Sequence, residues 1–470
     1  MKKIAFLPID NRPVCYDLAK MIADVSSDFE LILPDKNYLG NLKKSANKNA
    51  LVACLENLEN VDYIILSLDT LTYGGLINSR RSTETFEEIK IELENFKKIL
   101  KNKNSKILAF SSIMRISNNN INEEEKEYWN RWGKRIFDWS FNYHKSIVTN
   151  DSEPLKKQSC ICNTIPTEIL EDYTNTRKRN FEVNKIYLEW LNEGILDYLV
   201  FAKDDCAEFG LNVIEANELL KLIQEKNLSA QVKTGADEIP LSLLARVFSE
   251  NKNIKIYPKF TQPEFINKIS KYEDISVKNS VLSQIELTGA KLAETEDDAD
   301  FVLFINNFKN EQGELVMNVF EEGFKHELIL PDKPFAVADI LNANGADNCF
   351  VEHLFKNDLS KMIGFAGWNT TGNTLGSLLC MSLAYLTSTD KYEQPFKKLL
   401  FLRFLDDWAY QANVRAELKK TNDTPDKNLL KEKMSSFEDI LNKKFKTNFK
   451  NIKYYYPWDR FFEVGISIDE

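Results

Sequence analysis

Short apolar runs alternate with long amphipathic stretches through most of the chain, and this alternation constrains the fold more than any single motif. The runs are IAFLPI (4–9), ELILP (30–34), YIILSL (63–68), KILAFSSI (106–113), YLVFA (198–202), AQVKT (230–234), IKIYP (254–258), FVLFI (301–305), FAVAD (335–339) and MIGFAG (362–367). A strand buried on both faces reads as a continuous apolar run, and strands separated by helix-length segments pair in parallel. The expected fold is α/β with a largely parallel sheet. Two architectures fit. One is a (β/α)8-barrel with helical insertions, slightly preferred because nearly every run leads into a polar signature. The other is two doubly wound lobes divided near residue 250. Residues 1–390 are expected to form the α/β catalytic domain, with 391–470 as C-terminal helices and tail packed on it.

Between the runs, a clean amphipathic helix is expected over 83–100, opening at Thr83 with Glu87 and Glu88 near its start. A helical insertion over 120–195 carries helices at 122–147 and 166–193. The first is rich in aromatics: Tyr128, Trp129, Trp132, Phe137, Trp139, Phe141 and Tyr143. They either pack a hairpin on the sheet or form a lid or sugar-stacking wall. A further helix is expected over 391–418, and the Lys/Asn-rich stretch 419–432 reads as a mobile surface segment.

A chain of 470 residues with 43% apolar content can bury a large core. Its net charge of -10 argues against nucleic-acid binding, which needs a basic face. No stretch offers about 18 uncharged apolar residues, so no membrane span is expected. The first apolar run breaks at Asp10-Asn11-Arg12, unlike a secretion signal, so a cytoplasmic location is expected. Seven cysteines, odd in number and scattered, read as reduced and mostly buried; Cys160 and Cys162 form C-x-C rather than the C-x-x-C of redox and zinc sites. The three histidines, His144, His326 and His353, follow no strand, which argues against a Ser-His-Asp triad or a His-rich zinc centre. P-loop, G-x-G-x-x-G, H-E-x-x-H and G-x-S-x-G signatures are absent.

Ligands of parallel α/β proteins sit where strands end. The first run leads to Asp10-Asn11-Arg12-Pro13, whose proline presets a helical turn. The third leads to Asp69 and Tyr73-Gly74-Gly75, then Arg80. KILAFSSI leads to Arg115, YLVFA to Asp204-Asp205, and AQVKT to Asp237-Glu238. FAVAD ends in Asp339, with Asn344 and Asp347 beyond. The last run leads to Trp368-Asn369-Thr370-Thr371-Gly372-Asn373, an apolar plane beside amide donors and acceptors. Carboxylates in such places are also helix caps, the reading favoured for Asp237 and Asp347. Arg403, Asp407, Gln411 and Arg415 recur every four residues, with Asp406 and Tyr410 adjacent; on one helix face they form an ion network or a layer supporting the site.

Taken in order, PIDNRPVCYD, LDTLTYGGLINSR, MRIS, DDCAEFGLN, GADEIPLSLLAR, VADILNANGAD, GWNTTGNTLG and RFLDDWAYQ resemble a bacterial family designated a domain of unknown function, number 4127. The resemblance runs from Pro8 to about Arg415 and implies no activity or catalytic residue. The family pattern has an acidic residue at the place of Asn11 at least as often, which favours Asp10 for an acid/base role.

The residues themselves point first to a hydrolase acting on a sugar or sugar-like polar substrate, a glycoside hydrolase above all. Such enzymes use two carboxyl groups, whose separation of roughly 5 Å or 6.5–9.5 Å decides retention or inversion. Asp10 and Asp205 are the first candidates and Asp69 the next. Asn11, Arg12, Tyr73, Arg80, Arg115, Asp204, Glu238, Asp339, Asn344, Trp368, Asn369 and Asn373 are expected to hold the substrate. The arginines favour an acidic sugar, unless they neutralise neighbouring aspartates. No cofactor or dedicated metal site is expected. One alternative is a Mg²⁺- or Mn²⁺-dependent hydrolase using the same oxygen ligands; another is a two-lobed binding protein. The partner is a small molecule or oligosaccharide, and homo-oligomerisation is left open. The catalytic reading requires Asp10, Asp69, Asp205 and Trp368 to meet around one pocket.

Overall fold

A computed structural model describes residues 1–325, 327–421 and 424–468, so His326 lies outside the described residues. All ten apolar runs form strands. β1 (Lys2–Leu7), β2 (Phe29–Ile32), β3 (Tyr63–Ser67), β4 (Lys106–Ile113), β5 (Tyr198–Lys203) and β6 (Ala230–Thr234) pair in parallel in the order β2-β1-β3-β4-β5-β6. The remaining strands are β7 (Lys255–Phe260), β8 (Lys291–Leu292), β9 (Phe301–Asn306), β10 (Gly313–Glu314), β11 (Phe335–Asp339), β12 (Asn342–Ala343), β13 (Met362–Ala366), β14 (Ile452–Tyr455) and β15 (Gly465–Ile468). A second parallel sheet runs β13-β11-β9-β7-β8. In both sheets the order reverses once, between β1 and β3 and between β7 and β9. At a reversal the neighbouring connections leave in opposite directions and open a crevice at the strands' carboxyl ends. Among the described residues, strand pairing joins neither sheet to the other. β8, β10 and β12 are too short to register as apolar runs, and β14 and β15 form an antiparallel hairpin in the tail.

One core spans the two sheets. The helices Ile239–Ser249 and Thr371–Thr387 are buried almost all round, with Leu243, Leu244, Phe248, Leu375, Leu378 and Leu379 reaching zero exposure. A helix apolar on every face has to lie inside a protein. These two pack against each other, and their residues join one cluster with Phe6, Ile65, Phe301, Val337 and Leu430. The other face of the first sheet is covered by a separate cluster built on Leu66, Ile89, Leu93, Phe201 and Leu219.

Several expected elements differ in detail. The helix expected over 83–100 runs Phe86–Lys101, and its cap is Thr85, not Thr83. Thr85 Oγ1 accepts from the Glu88 amide at 3.3 Å while the Thr85 amide donates to Glu88 Oε2 at 2.7 Å, a reciprocal capping box. The insertion holds three helices, Trp129–Thr149, Ser152–Cys162 and Thr167–Asn192. Its aromatics make a core of their own: Trp129 lies 5.7 Å from Tyr173 and packs with Met114, Ile116 and Ile136. The segment expected as one helix over 391–418 runs as Glu393–Arg403, a π-helical stretch Phe404–Val414, and Arg415–Thr421. In the 419–432 stretch, Asn422 and Asp423 lie outside the described residues, and a helix begins at Lys427. Cys15, Cys206 and Cys380 are buried, but Cys160 and Cys349 are exposed, so fewer thiols are interior than expected. Among the described residues, no helix is long and apolar enough to cross a membrane.

Candidate functional site

The strand-end loops of both sheets meet the C-terminal tail at a cavity of about 90 Å³. Asp10 and Arg12 reach it from the loop after β1, Arg115 from after β4, Asp204 and Asp205 from after β5, and Asp237 from after β6. Tyr272 and Glu273 come from beyond β7, and Asn369, Thr370 and Asn373 from beyond β13. Glu124 enters from the helical insertion, and Trp458 and Phe462 close the cavity from the tail. Larger clefts lie elsewhere. One of about 560 Å³ sits at the opposite ends of β3, β4 and β5 beside Tyr63, Lys106 and Tyr198, away from the strand-end carboxyls.

Arg12 organises one side. Its amide and Nε donate to Asp10 at 2.9 and 2.8 Å, and its Nη atoms fork onto Asp237 at 2.7 and 3.1 Å. Nη1 also reaches Glu463 Oε1 at 2.9 Å. A planar guanidinium matches several carboxylates at fixed angles, which an ammonium does not. Arg115 organises the other side, donating to Glu125 at 2.9 Å and Asp205 at 3.1 Å, with Glu124 at 3.0 Å. Behind it, Arg80 donates to Asp204 at 3.1 Å. Trp458 donates to Asn11 Oδ1 at 2.8 Å, and Arg12 and Arg460 lie over its ring at 5.0 and 4.7 Å. Arg460 in turn donates to Glu124 at 2.8 Å. The tail thus locks onto loops from the first sheet and the insertion.

Crowded carboxyls shift one another. Burial and then the neighbouring Asp204 charge push Asp205 up to about 7. Burial also raises Asp10, with Asp237 adding to it and Arg12 opposing, and raises Asp204 against the pull of Arg115 and Arg80. Burial lifts Glu273 to about 7 although Ser280 and the Gly372 amide donate to it. Glu124 moves the other way: burial opposes ionisation, but Arg115, Arg460 and Arg80 together hold it well below the usual range. Asp205 and Asn369 both adopt left-handed backbone, at φ 34 and 50. Strain of that kind gathers where a side chain has to be aimed.

The expected residues divide. Asp10, Arg12, Arg115, Asp204, Asp205, Asn369 and Asn373 line the cavity. Three stand just behind it: Arg80; Asn11, which holds Trp458; and Asn344, whose amide donates to the Asn369 carbonyl at 2.8 Å. Asp69 also lies behind, accepting from the Ser112 amide at 2.8 Å, and burial raises it to about 7. The others are elsewhere. Trp368 is a core residue whose indole donates to Ser377 at 3.0 Å, so it presents no plane to a substrate. Tyr73 is buried among apolar residues of the first sheet, with Arg179 over its ring. Asp339 is fully buried and fastens loops, accepting from Asn306 at 2.9 Å and from the Asp347 amide at 2.7 Å. Glu238 is buried and bonded to Gln284 at 3.0 Å, beside the cavity wall at Gly235 rather than in the cavity. The required meeting of four residues therefore reduces to Asp10 and Asp205, with Asp69 behind them and Trp368 apart.

Asp347 is the helix cap expected, accepting from the Cys349 and Phe350 amides. Asp237 is not: its carboxylate pairs with Arg12, and the helix starts from Glu238 without a side-chain cap. Asp237, Glu124, Tyr272, Glu273, Trp458, Phe462 and Glu463 were not singled out as site residues by the sequence reading. The available signal was the aromatic and charged tail YYYPWDRFFE, too dense in rings for an ordinary surface strand. The 403–415 stripe is an internal network. Arg403 pairs with Asp406 and Asp407, Asp407 accepts from the Gly367 amide at 2.8 Å, and Gln411 and Tyr410 donate to the Phe462 and Phe461 carbonyls. It anchors the tail segment that closes the cavity.

Fold and site define an α/β protein of mostly parallel strands with a carboxyl-rich pocket at strand ends. The chain belongs to the family described as Protein of unknown function (DUF4127), which it matches over residues 4–467. Neither a curated protein nor a solved structure matches it.

Proposed function

We propose that the protein is a hydrolase of a sugar-like substrate, a glycoside hydrolase working by paired carboxyl groups. The observation that carries this reading is the convergence of Asp10, Asp204, Asp205 and Asp237 on one cavity at the strand ends. Glycoside hydrolysis needs a carboxylic acid to protonate the leaving oxygen and a carboxylate on the other side of the ring. Asp205, lifted to about 7, suits the acid, because a group near the working pH both holds and gives a proton. Its side chain is 37% exposed, the most open of the cavity's aspartates. The Arg12-held pair Asp10 and Asp237 supplies the second carboxyl, fixed in orientation by the fork. Asn369 and Asn373 offer amide groups to ring hydroxyls. Each guanidinium facing the cavity is engaged by the protein's own carboxyls, which weighs against an acidic sugar.

We read the two sheets as two doubly wound lobes rather than a barrel, since each shows a single order reversal. The acidic charge and the thiols, none of them in a disulfide, suit a cytoplasmic enzyme acting on a small molecule. The test is a screen of aryl glycosides bearing neutral, amino and carboxylate sugars, run with and without EDTA. Turnover of at least one glycoside, unchanged by EDTA, is the expected result. Turnover of none, alongside cleavage of a phosphate or amide substrate, overturns the reading.

A further inference from the structure

The charge of the cavity wall says more about the substrate than its shape does. Six carboxyl groups line it, from Asp10, Glu124, Asp204, Asp205, Asp237 and Glu273, against two guanidiniums, Arg12 and Arg115. Widening the circle to the groups that touch these adds Glu125 and Glu463 against Arg80 and Arg460, which leaves the excess of four acids unchanged. Both cavity guanidiniums are spent: Arg12 serves Asp10, Asp237 and Glu463, and Arg115 serves Glu124, Glu125 and Asp205. Among the described residues lining the cavity, a ligand carboxylate or phosphate would meet guanidiniums already paired and an excess of acidic groups that offer it no counter-charge.

A second observation points the same way. Asn373 lines the cavity, is 4% exposed, and its Oδ1 has no hydrogen-bond partner. The Asn373 backbone N–H is meanwhile held by the Thr370 hydroxyl at 3.3 Å, where Thr370 caps the helix. A buried acceptor left without a donor is costly, so the partner it awaits is a ligand N–H or O–H. The acids are also spread around the wall. Among the described residues no three His, Cys, Asp or Glu side chains converge as metal ligands. A dispersed ring of acceptors suits an organic cation carrying several donors better than a bare ion.

We infer that the site takes a cationic, hydroxyl-bearing ligand, an amino sugar in its simplest form, with its ammonium group received by the carboxyls around Asp204 and Asp205. This rests on the sugar-hydrolase reading for the word sugar, and on the cavity wall alone for the charge. It also carries a signature. Burial and the Asp204 charge hold the proton of Asp205 up to about 7, while burial raises Asp204 as well. A bound cation favours the ionised form of Asp205, so binding expels its proton, while a neutral sugar leaves it in place.

The experiment is calorimetric titration of the full chain with glucosamine, glucose and glucuronate. It is run at pH 7 in EDTA and low salt, in two buffers of different ionisation enthalpy. Glucosamine is expected to bind at least tenfold more tightly than glucose, glucuronate to bind most weakly, and only glucosamine to release protons. In Asp204→Asn, with folding checked by its melting curve, the glucosamine-to-glucose ratio is expected to fall towards one. Equal affinity for glucose and glucosamine, tighter binding of glucuronate, absence of proton release, or no binding by any of the three overturns the inference. Aryl-glycoside turnover is scored separately. Proton-releasing glucosamine binding without any glycoside cleavage sinks the catalytic reading and leaves the cationic preference standing.

Discussion

At the scale of single residues, the structure separates two roles that one amino-acid type can play. Asp205 and Asp339 are both aspartates at the carboxyl ends of strands, and burial raises both, to about 7 and about 8. Asp339 has its oxygens occupied by Asn306 and loop amides, whereas Asp205 shares only Arg115 and faces the cavity. Asp205→Asn is expected to lower kcat by about 10²–10⁴-fold with KM little changed. As an acid, Asp205 works only while protonated, so the wild-type rate is expected to fall as pH rises through about 7. A pH–rate profile of both proteins checks this; an undiminished kcat in the variant removes Asp205 from the mechanism. The two tryptophans make a similar pair. Trp368→Phe loses the Ser377 hydrogen bond and some core packing, a destabilisation of about 1–3 kcal/mol, with KM unaffected. Trp458→Phe loses the bond to Asn11 on the cavity rim and is expected to raise KM instead. Denaturant melts and Michaelis curves of both variants separate these effects.

At the scale of elements, the strands were legible and the connections less so. Ten apolar runs became ten strands because a strand buried on both faces has no room for polar residues. Asp10-Asn11-Arg12 and Asp204-Asp205 were legible as site residues for a related reason: two or three adjoining polar groups beyond such a strand need partners. Asp237 was misread because a capping carboxylate and an ion-pairing one look the same in sequence, and only Arg12, 225 residues away, decides between them. Trp368 was misread because its Ser377 partner lies nine residues on, inside a buried helix that the local motif does not reveal. The four-residue spacing of Arg403, Asp407, Gln411 and Arg415 assumed α-helical winding. The π-helical turn over Phe404–Val414 instead lets Gln411 reach Asp406, five residues back, at 3.4 Å. One prediction belongs here. Asp339→Ala leaves the Asn306, Leu341 and Asp347 N–H groups without their acceptor, so it is expected to lower stability by about 3 kcal/mol while the activity of the folded fraction is retained. Loss of activity out of proportion to the loss of folded protein would move Asp339 into the chemistry.

At the scale of the whole molecule, the raised carboxyls set how stability responds to pH. Asp69 and Glu273 sit at about 7 and Asp339 at about 8, all three buried, while in the unfolded chain carboxyls titrate near about 4. A folded-state value above the unfolded one means that the native protein holds protons the unfolded chain has already lost. That contribution is complete below the unfolded value and disappears as pH climbs through the folded one. The melting temperature is therefore expected to be higher at pH 5.5 than at pH 8.5, by at least about 5 °C. Scanning calorimetry across that window tests it, and a melting point that rises with pH contradicts the protonated interior described here.

The strap around Trp458, Phe462 and Glu463 has a consequence for how the protein comes into being. Glu463 meets Arg12 across 451 positions of chain, and Trp458 meets Asn11 across 447. Both sheets can be fully synthesised while this corner is still unfinished. The ribosome thus delivers this wall of the pocket after both sheets have been made. A nonsense mutation just upstream of the Trp458 codon is expected to give a polypeptide with most of the core and no working pocket, dead in function long before it is dead in fold.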